Sequence, residues 1–278
     1  MPDALSSITV FTPRYWEYLD QDAPPEEDLA EEFHEASKFH LATMARETNG
    51  HWLKTHPELN RSASVGAREL PHLPRVPLPA IDAERERGDH PTLIRNESCR
   101  DFATDALPVD QLGRALWLSY GAYPERPSTT PPVRRPVASG GALYPLELYL
   151  LADVTGTGHK GLYHYNVHAH ALEEVRGEVG EERIRLLGTQ PDLLASAPAI
   201  VFINGLFWRS RFKYRLRGYR FALMEAGAVI QQLTLAAQAL GWGAVPFAGL
   251  FDDQVEELCE IDGVDHSFLN AVLLGRPR

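Results

Sequence analysis

Lys213 and Tyr214 stand side by side in residues 209–218, RSRFKYRLRG, a strongly basic run inside a chain of formal net charge −11. A lysine among other cations, once removed from water, can have its pKa drawn towards neutrality and then act as a base. A solvated loop is the simpler reading of such a run. This one lies between a core strand and the most apolar helix of the chain, which favours a site. The second stretch is residues 138–151, ASGGALYPLELYLL. Beside Ser139, the adjacent Gly140 and Gly141 let main-chain N–H groups approach a flat or anionic ligand without Cβ interference, and Pro145 fixes the chain as it enters an alternating apolar run. A tight turn before a core strand would need no more than this. Further upstream, Ser98 and Arg100 offer a hydroxyl and a guanidinium two residues apart, which together can reach a phosphate, although any polar surface shows such a pair. Arg134 and Arg135 adjoin the glycine turn from a proline-dense connection, where a stiff surface loop competes with substrate or phosphate contact. His164, His168 and His170 suggest a metal, but the first two would share a strand face yet lie far apart, and no Cys or carboxylate completes a set. They are read as hairpin surface.

The elements that must position these residues follow from periodicity. The run after Pro145 is a strand buried at the centre of the fold. Residues 161–175 read as a hairpin turning near His168 and Ala169. A helix is expected over 181–195, and 198–207, PAIVFINGLF, is a second buried strand. Residues 221–240 form a helix with Leu223, Ala226, Ile230, Leu233, Ala237 and Leu240 on one stripe; Glu225, Gln231, Gln232 and Gln238 make it a buried helix and not a membrane span. It stops at Gly241-Trp242-Gly243. Asp252 is expected to cap a short helix, and 268–274 to supply the last strand. Upstream, a helix opens at Pro108 with Leu107, Leu112, Ala115, Leu116 and Ser119 facing the core. The first 90 residues differ in texture. An acidic amphipathic helix is expected within 20–35, with Leu29, Phe33 and Ala36 at helical spacing, and 57–91, carrying Pro71, Pro74, Pro77 and Pro79, reads as an extended arm or a loose linker.

Composition bounds the rest. The 278 residues, 44% hydrophobic, can bury a sizeable core. The acidic balance argues against nucleic acid or an anionic membrane as partner. Cys99 and Cys259 are the only cysteines, and the N-terminus lacks a charged start followed by an apolar segment, so a reduced, cytoplasmic protein is expected.

Several of these stretches recur together elsewhere. SGGALYPLELYL, the upstream S-x-R-x-F signal of Ser98, Arg100 and Phe102, and KYRLRGYRFALMEAGAVIQQL from Lys213 resemble the nitroreductase-like flavoproteins, in particular their SagB-type branch, which includes azoline dehydrogenases of thiazole- and oxazole-containing peptide biosynthesis. The resemblance runs from about Phe33 to the C-terminus. It implies an α+β fold with a mainly antiparallel central sheet flanked by helices, an N-terminal helical and extended extension over 1–89, and an FMN-binding domain over 90–278. It implies FMN held by Ser98 and Arg100 at the phosphate, by Ser139, Gly140, Gly141, Ala142, Leu143 and Tyr144 at the turn, by Pro246, Ala248 and Gly249 of a P-x-x-G turn whose N–H near Ala248 would donate to flavin N5, and by a late Arg276. The branch usually reads R-R-S-x-R at the phosphate; Asn96 and Glu97 stand where the arginines would be, and Arg95 is the substitute. A His common after the Gly of the long-helix motif is Ala228 here.

The same resemblance gives Lys213 and Tyr214 the catalytic deprotonation. It also implies a homodimer with flavin at its interface, a peptide or small-molecule heterocycle as substrate, a cyclodehydratase partner and dioxygen as final electron acceptor. Two other functions fit the residues: an NAD(P)H-dependent reductase of nitroaromatics, quinones or enones, and a scaffold of a peptide-modifying synthetase without turnover.

Overall fold

The computed structural model describes residues 28–44, 55–58, 61, 66, 70–123 and 134–278. Most of the expected acidic helix before Asp28, parts of the proline-rich arm and the loop over 124–133 lie outside the described residues. Among them the helices are α1 (Leu29–Ser37), α2 (Ala83–Asp89), α3 (Val109–Tyr120), α4 (Glu181–Arg185), α5 (Pro191–Ser196), α6 (Trp208–Tyr214), α7 (Leu216–Ala239) and α8 (Asp252–Cys259). The strands are β1 (Leu146–Ala152), β2 (Gly161–Asn166), β3 (Ala171–Arg176), β4 (Ala199–Leu206), β5 (Gly243–Phe247) and β6 (His266–Gly275). They form one sheet in the order β3-β2-β1-β4-β6-β5, every pair antiparallel. The fold is α+β, as expected.

Alternation along β1 and β4 splits the core in two. Leu146, Leu148 and Leu150, with Val201 and Ile203, face α3 and α7 through Leu112, Leu116, Val229 and Leu233. Tyr149, Leu151, Ile200 and Phe202 face α4, α5 and α8 through Ile184, Leu194, Val255 and Leu258. Both faces of β4 are covered, which is why its sequence is almost continuously apolar. Each fully buried leucine contributes about 2 kcal/mol of hydrophobic transfer.

Four expectations need correction. The helix over 181–195 is two short helices, because Gly188 pairs with Leu250 and a Cβ there would lie 2.3 Å from the Gly249 carbonyl oxygen. Pro191 then opens α5. The basic run over 209–218 is helical: α6 ends at Tyr214, Arg215 takes φ 49°, ψ −133°, and α7 starts at Leu216, five residues before the expected start. The buried stripe of α7 is Tyr219, Ala222, Glu225, Ala226, Val229, Leu233 and Ala237, whereas Leu223 is exposed. Asp252 does not cap α8; Phe251 occupies that position, and the Asp252 carboxylate accepts the Phe39 N–H instead at 2.9 Å.

Helix α1 is docked on the core. Ala30 packs with Phe207, Tyr219 and Ala222. His34 hydrogen-bonds the Tyr219 hydroxyl through Nδ1 at 3.1 Å and Ser267 Oγ through Nε2 at 2.6 Å, while Lys38 meets Glu256 at 3.2 Å.

Candidate active site

The glycine turn and the Lys-Tyr pair meet. Gly141 has φ +66°, the left-handed region open to glycine, and its Cα faces α6 so closely that an added Cβ would stand 2.5 Å from the Tyr214 hydroxyl oxygen and 3.0 Å from Lys213 Nζ. The Lys213 ammonium lies 5.2 Å from the Tyr214 ring centroid. On the other side Gly140 abuts Phe221, where a Cβ would be 2.8 Å from Cδ2, and Phe221 packs edge-on against Tyr214 with centroids 5.0 Å apart. Two glycines, a phenol, an amine and a phenyl ring thus line one shallow, partly exposed surface at the N-terminal end of α7.

Buried polar groups hold the turn. Ser139 Oγ accepts the Tyr144 N–H at 2.9 Å, across Gly140, Gly141, Ala142 and Leu143. Ala142 and Tyr144 both have positive φ, 55° and 47°, so this stretch is a strained connection and not a simple turn. The Arg135 guanidinium lies over the rings of Tyr120 (4.3 Å) and Tyr144 (4.7 Å), which absorbs it as an internal contact, contrary to its expected role as a ligand or surface residue. Tyr120 donates to Glu225 at 2.6 Å. Burial pushes the Glu225 carboxyl above its usual range, partly opposed by the Ser139 and Tyr120 hydroxyls and by Arg135. Burial likewise drives the Tyr120 phenol far up.

Two of the arginines around Lys213, Arg209 and Arg211, are neutralised within the chain. Arg209 pairs with Glu147 of β1 at 2.5 Å and reaches the Tyr144 carbonyl at 3.4 Å. Arg211 pairs with Asp28 and, at 3.1 Å, with Glu31. Burial alone would raise the Glu147 carboxyl, but the hydrogen bond from His164 and the Arg209 guanidinium bring it down to about 2. His164 is therefore not hairpin surface: it bridges Glu147 and Glu173, 2.9 Å from each. Lys213 itself stands exposed, so the burial expected to desolvate it is not provided by this chain alone.

The remaining predicted residues gather elsewhere. The Cys99 N–H donates to the Ala244 carbonyl, Ala103 N–H to the Arg276 carbonyl, and Phe102 bridges to Pro277, which bring Ser98, Arg100 and Arg276 together beside the end of β5. Arg95 hydrogen-bonds Ser98 Oγ, and Arg276 pairs with Asp105 at 3.1 Å. The Asn96 N–H is held by the Gln238 side chain at the C-terminal end of α7. Pro246 sits in edge strand β5 opposite Val272, Ala248 is exposed, and the Gly249 carbonyl is fixed by the Thr189 N–H at 2.8 Å. By register, β1 begins where Leu146 faces Gly205, and Gly205 faces Ser267. Arg276, by contrast, follows Gly275 at the other end of β6. Eight residues of strand make roughly 25 Å, and the helical rise between Phe221 and Gln238 gives about the same. The turn cluster and the arginine cluster lie at opposite ends of the molecule.

Sequence reasoning missed Phe221, Glu225, Tyr120, Thr189 and the Asp28/Glu31 pair. Only Glu225, a carboxylate in an otherwise apolar stripe, carried a visible signal.

Residues 95–276 match the family described as Nitroreductase. A Methanocaldococcus jannaschii protein assigned as a nitroreductase, MJ1384, is 31% identical over 170 residues, 61% of this chain and 82% of that protein. The Escherichia coli Microcin B17-processing protein McbC is 37% identical over 135 residues, 47% of this chain and 50% of McbC, so the chain matches half the length of that relative. A chain of the E. coli microcin synthetase McbBCD complex with truncated pro-MccB17 bound shares the fold, with TM-score 0.72, 23% identity and coverage of 99% of this chain and 98% of that one.

Proposed function

Because the chain belongs to the nitroreductase family, we propose that it is an FMN-dependent oxidoreductase that dehydrogenates thiazoline or oxazoline rings to azoles in a ribosomally made peptide. The observation that carries this reading is the contact of Lys213 and Tyr214 with Gly141. A base and a phenol lie against a turn whose glycines leave no space for a side chain. The sequence likeness to a microcin-processing protein supports a peptide substrate, and a cyclodehydratase is the partner proposed with it.

The residues fit FMN as two half-sites. The backbone cradle of Gly140 and Gly141 would suit an isoalloxazine, Arg95, Ser98, Arg100 and Arg276 its phosphate, and the Ala248 and Gly249 backbone would offer an N–H to the ring. Roughly 25 Å apart in one chain, the halves are not bridged by one FMN. A second copy related by a two-fold axis brings the turn of one protomer to the arginines of the other. Helix α7 presents a face for it, where Leu216, Leu223 and Met224 are exposed beside Gly227 and Ala228. That packing would also take Lys213 out of water.

When bound, FMN supplies the hydride acceptor. Lys213, in its unprotonated form, would remove the proton from the ring carbon, and the Tyr214 hydroxyl beside it can relay that proton by releasing its own as it accepts one. Phe221 shields the turn on its other side.

The test is the visible spectrum of the purified protein, followed anaerobically. Bleaching of a flavin band by a synthetic azoline peptide alone supports dehydrogenation; bleaching by NADPH alone establishes a reductase instead, and a colourless protein that takes up no FMN leaves a scaffold.

A further inference from the structure

Helix α6 has seven residues, too short to hold its own shape in water, so tertiary anchors set its orientation. Its charged anchor is Arg211. It is 3% exposed, while Phe212, Lys213 and Arg215, which follow it, are exposed. Its guanidinium meets two carboxylates of α1: Nη2 donates to Asp28 Oδ2, and Nη1 to Glu31 Oε1 at 3.1 Å. Asp28 serves both helices, because its Oδ1 accepts the N–H groups of Ala30 (3.0 Å) and Glu31 (3.3 Å) as the α1 N-cap. A buried guanidinium is tolerable only with such partners.

The junction after Tyr214 is constrained too. Arg215 has positive φ, and Ser210 Oγ donates to the Gly218 carbonyl at 2.9 Å. A Cβ on Gly218 would lie 2.6 Å from the Ser210 carbonyl carbon. A non-glycine residue stays in such a conformation when its surroundings over-determine it. Helix α1 is in turn fastened to the sheet and α8 by His34 and Lys38.

We propose that Arg211, gripped by Asp28 and Glu31, is the positioning residue for Lys213 and Tyr214, so that α1 sets the placement of the pair over Gly141. This rests on the reading of that pair as catalytic. It gives α1 a task that neither charge nor amphipathicity reveals: its acidic first turn is a clamp on the basic helix that follows β4.

The test removes the clamp and spares the cap. Asn caps a helix as well as Asp does, so Asp28→Asn with Glu31→Gln keeps α1 and loses only the charge pairing to Arg211. Amide hydrogen exchange over residues 209–215 is expected to accelerate on the order of ten-fold, with β1 and β4 unchanged. The limiting rate of anaerobic bleaching of bound FMN by a synthetic azoline peptide is expected to fall on the order of ten- to a hundred-fold, with the half-saturating peptide concentration and the FMN content near wild type. In a background that lacks both groups, Lys213→Ala with Tyr214→Phe, the same two changes should cause no further loss. Unchanged exchange over 209–215, or an equal fractional loss in both backgrounds, overturns the proposal. If the wild-type protein is not bleached by the peptide, the azoline reading fails by itself, and the exchange result alone decides whether α1 positions α6.

Discussion

A methyl group added at Gly141 has no free direction, since Tyr214 and Lys213 occupy the space its Cβ would need. Gly141→Ala should therefore cost about 1 kcal/mol for the left-handed backbone and displace the pair as well. The expected outcome is a folded protein with a slightly lower Tm and a much slower azoline-dependent bleaching, read by stopped-flow absorbance. Lys213→Ala tests the proposed base. With FMN content unchanged, its bleaching rate should drop on the order of 10²- to 10⁴-fold, and a full rate would make Lys213 a structural residue. The types of these residues were legible in the sequence, because a glycine pair ahead of an apolar strand and a lysine beside a tyrosine stand out. Their contact was not, because it depends on positive φ at Gly141, Ala142 and Tyr144, and on α6 folding back towards β1. Nor does residue type disclose that Arg211 in a basic run is buried and paired while Lys213 two positions on is exposed.

At the level of elements, docking of α1 depends on a neutral histidine. Ser267 donates its hydroxyl hydrogen to Glu256, so its oxygen accepts from His34 Nε2, which leaves Nδ1 to accept from Tyr219. Burial first, and Lys38 nearby second, lower the His34 pKa from 6.5 to about 4. A group with a lowered imidazole pKa stabilises the fold fully above its unfolded value and progressively less as pH falls towards its folded one. Asp252, raised to about 6 by burial, has the opposite sign over nearly the same range, so the overall pH profile is a poor readout. The difference between two proteins cancels it. The Tm gap between wild type and His34→Gln should be widest above pH 6.5 and narrow by roughly a few degrees on going to pH 4; a constant gap would mean that His34 does not titrate in this window. The strands β1 and β4 and the opening of α3 were readable because both faces or one full face are buried locally. The phase of α7 was misjudged because aliphatic Leu223 outweighed Tyr219, Ala222 and Glu225, whose burial comes from α1, β1 and α3. The break between α4 and α5 was hidden for a like reason, as the constraint on Gly188 is the Gly249 carbonyl of a remote turn.

For the whole molecule the decisive feature is the distance between the two clusters. Sequence order placed Arg100, Gly141, Lys213, Ala248 and Arg276 in one presumptive site, because a linear motif carries no information on which end of a sheet each residue reaches. The register separates them, with the turn beside Leu146 and the arginines beyond Gly275. A dimeric site makes a prediction that a site within one chain does not. Lys213→Ala lacks the base and Arg100→Ala/Arg276→Ala lacks the phosphate contacts, so each homodimer should fail to turn over an azoline peptide, the second through loss of FMN. Co-expressed with different tags and purified through both, a mixed dimer holds one site in which both changes coincide and one in which Lys213 comes from the arginine variant and Arg100 and Arg276 from the lysine variant. That second site is intact, so the mixed dimer should bind FMN and bleach at about half the wild-type rate per dimer. If FMN were bound within a single chain, every site in the mixed dimer would carry one defect or the other, and activity would stay absent.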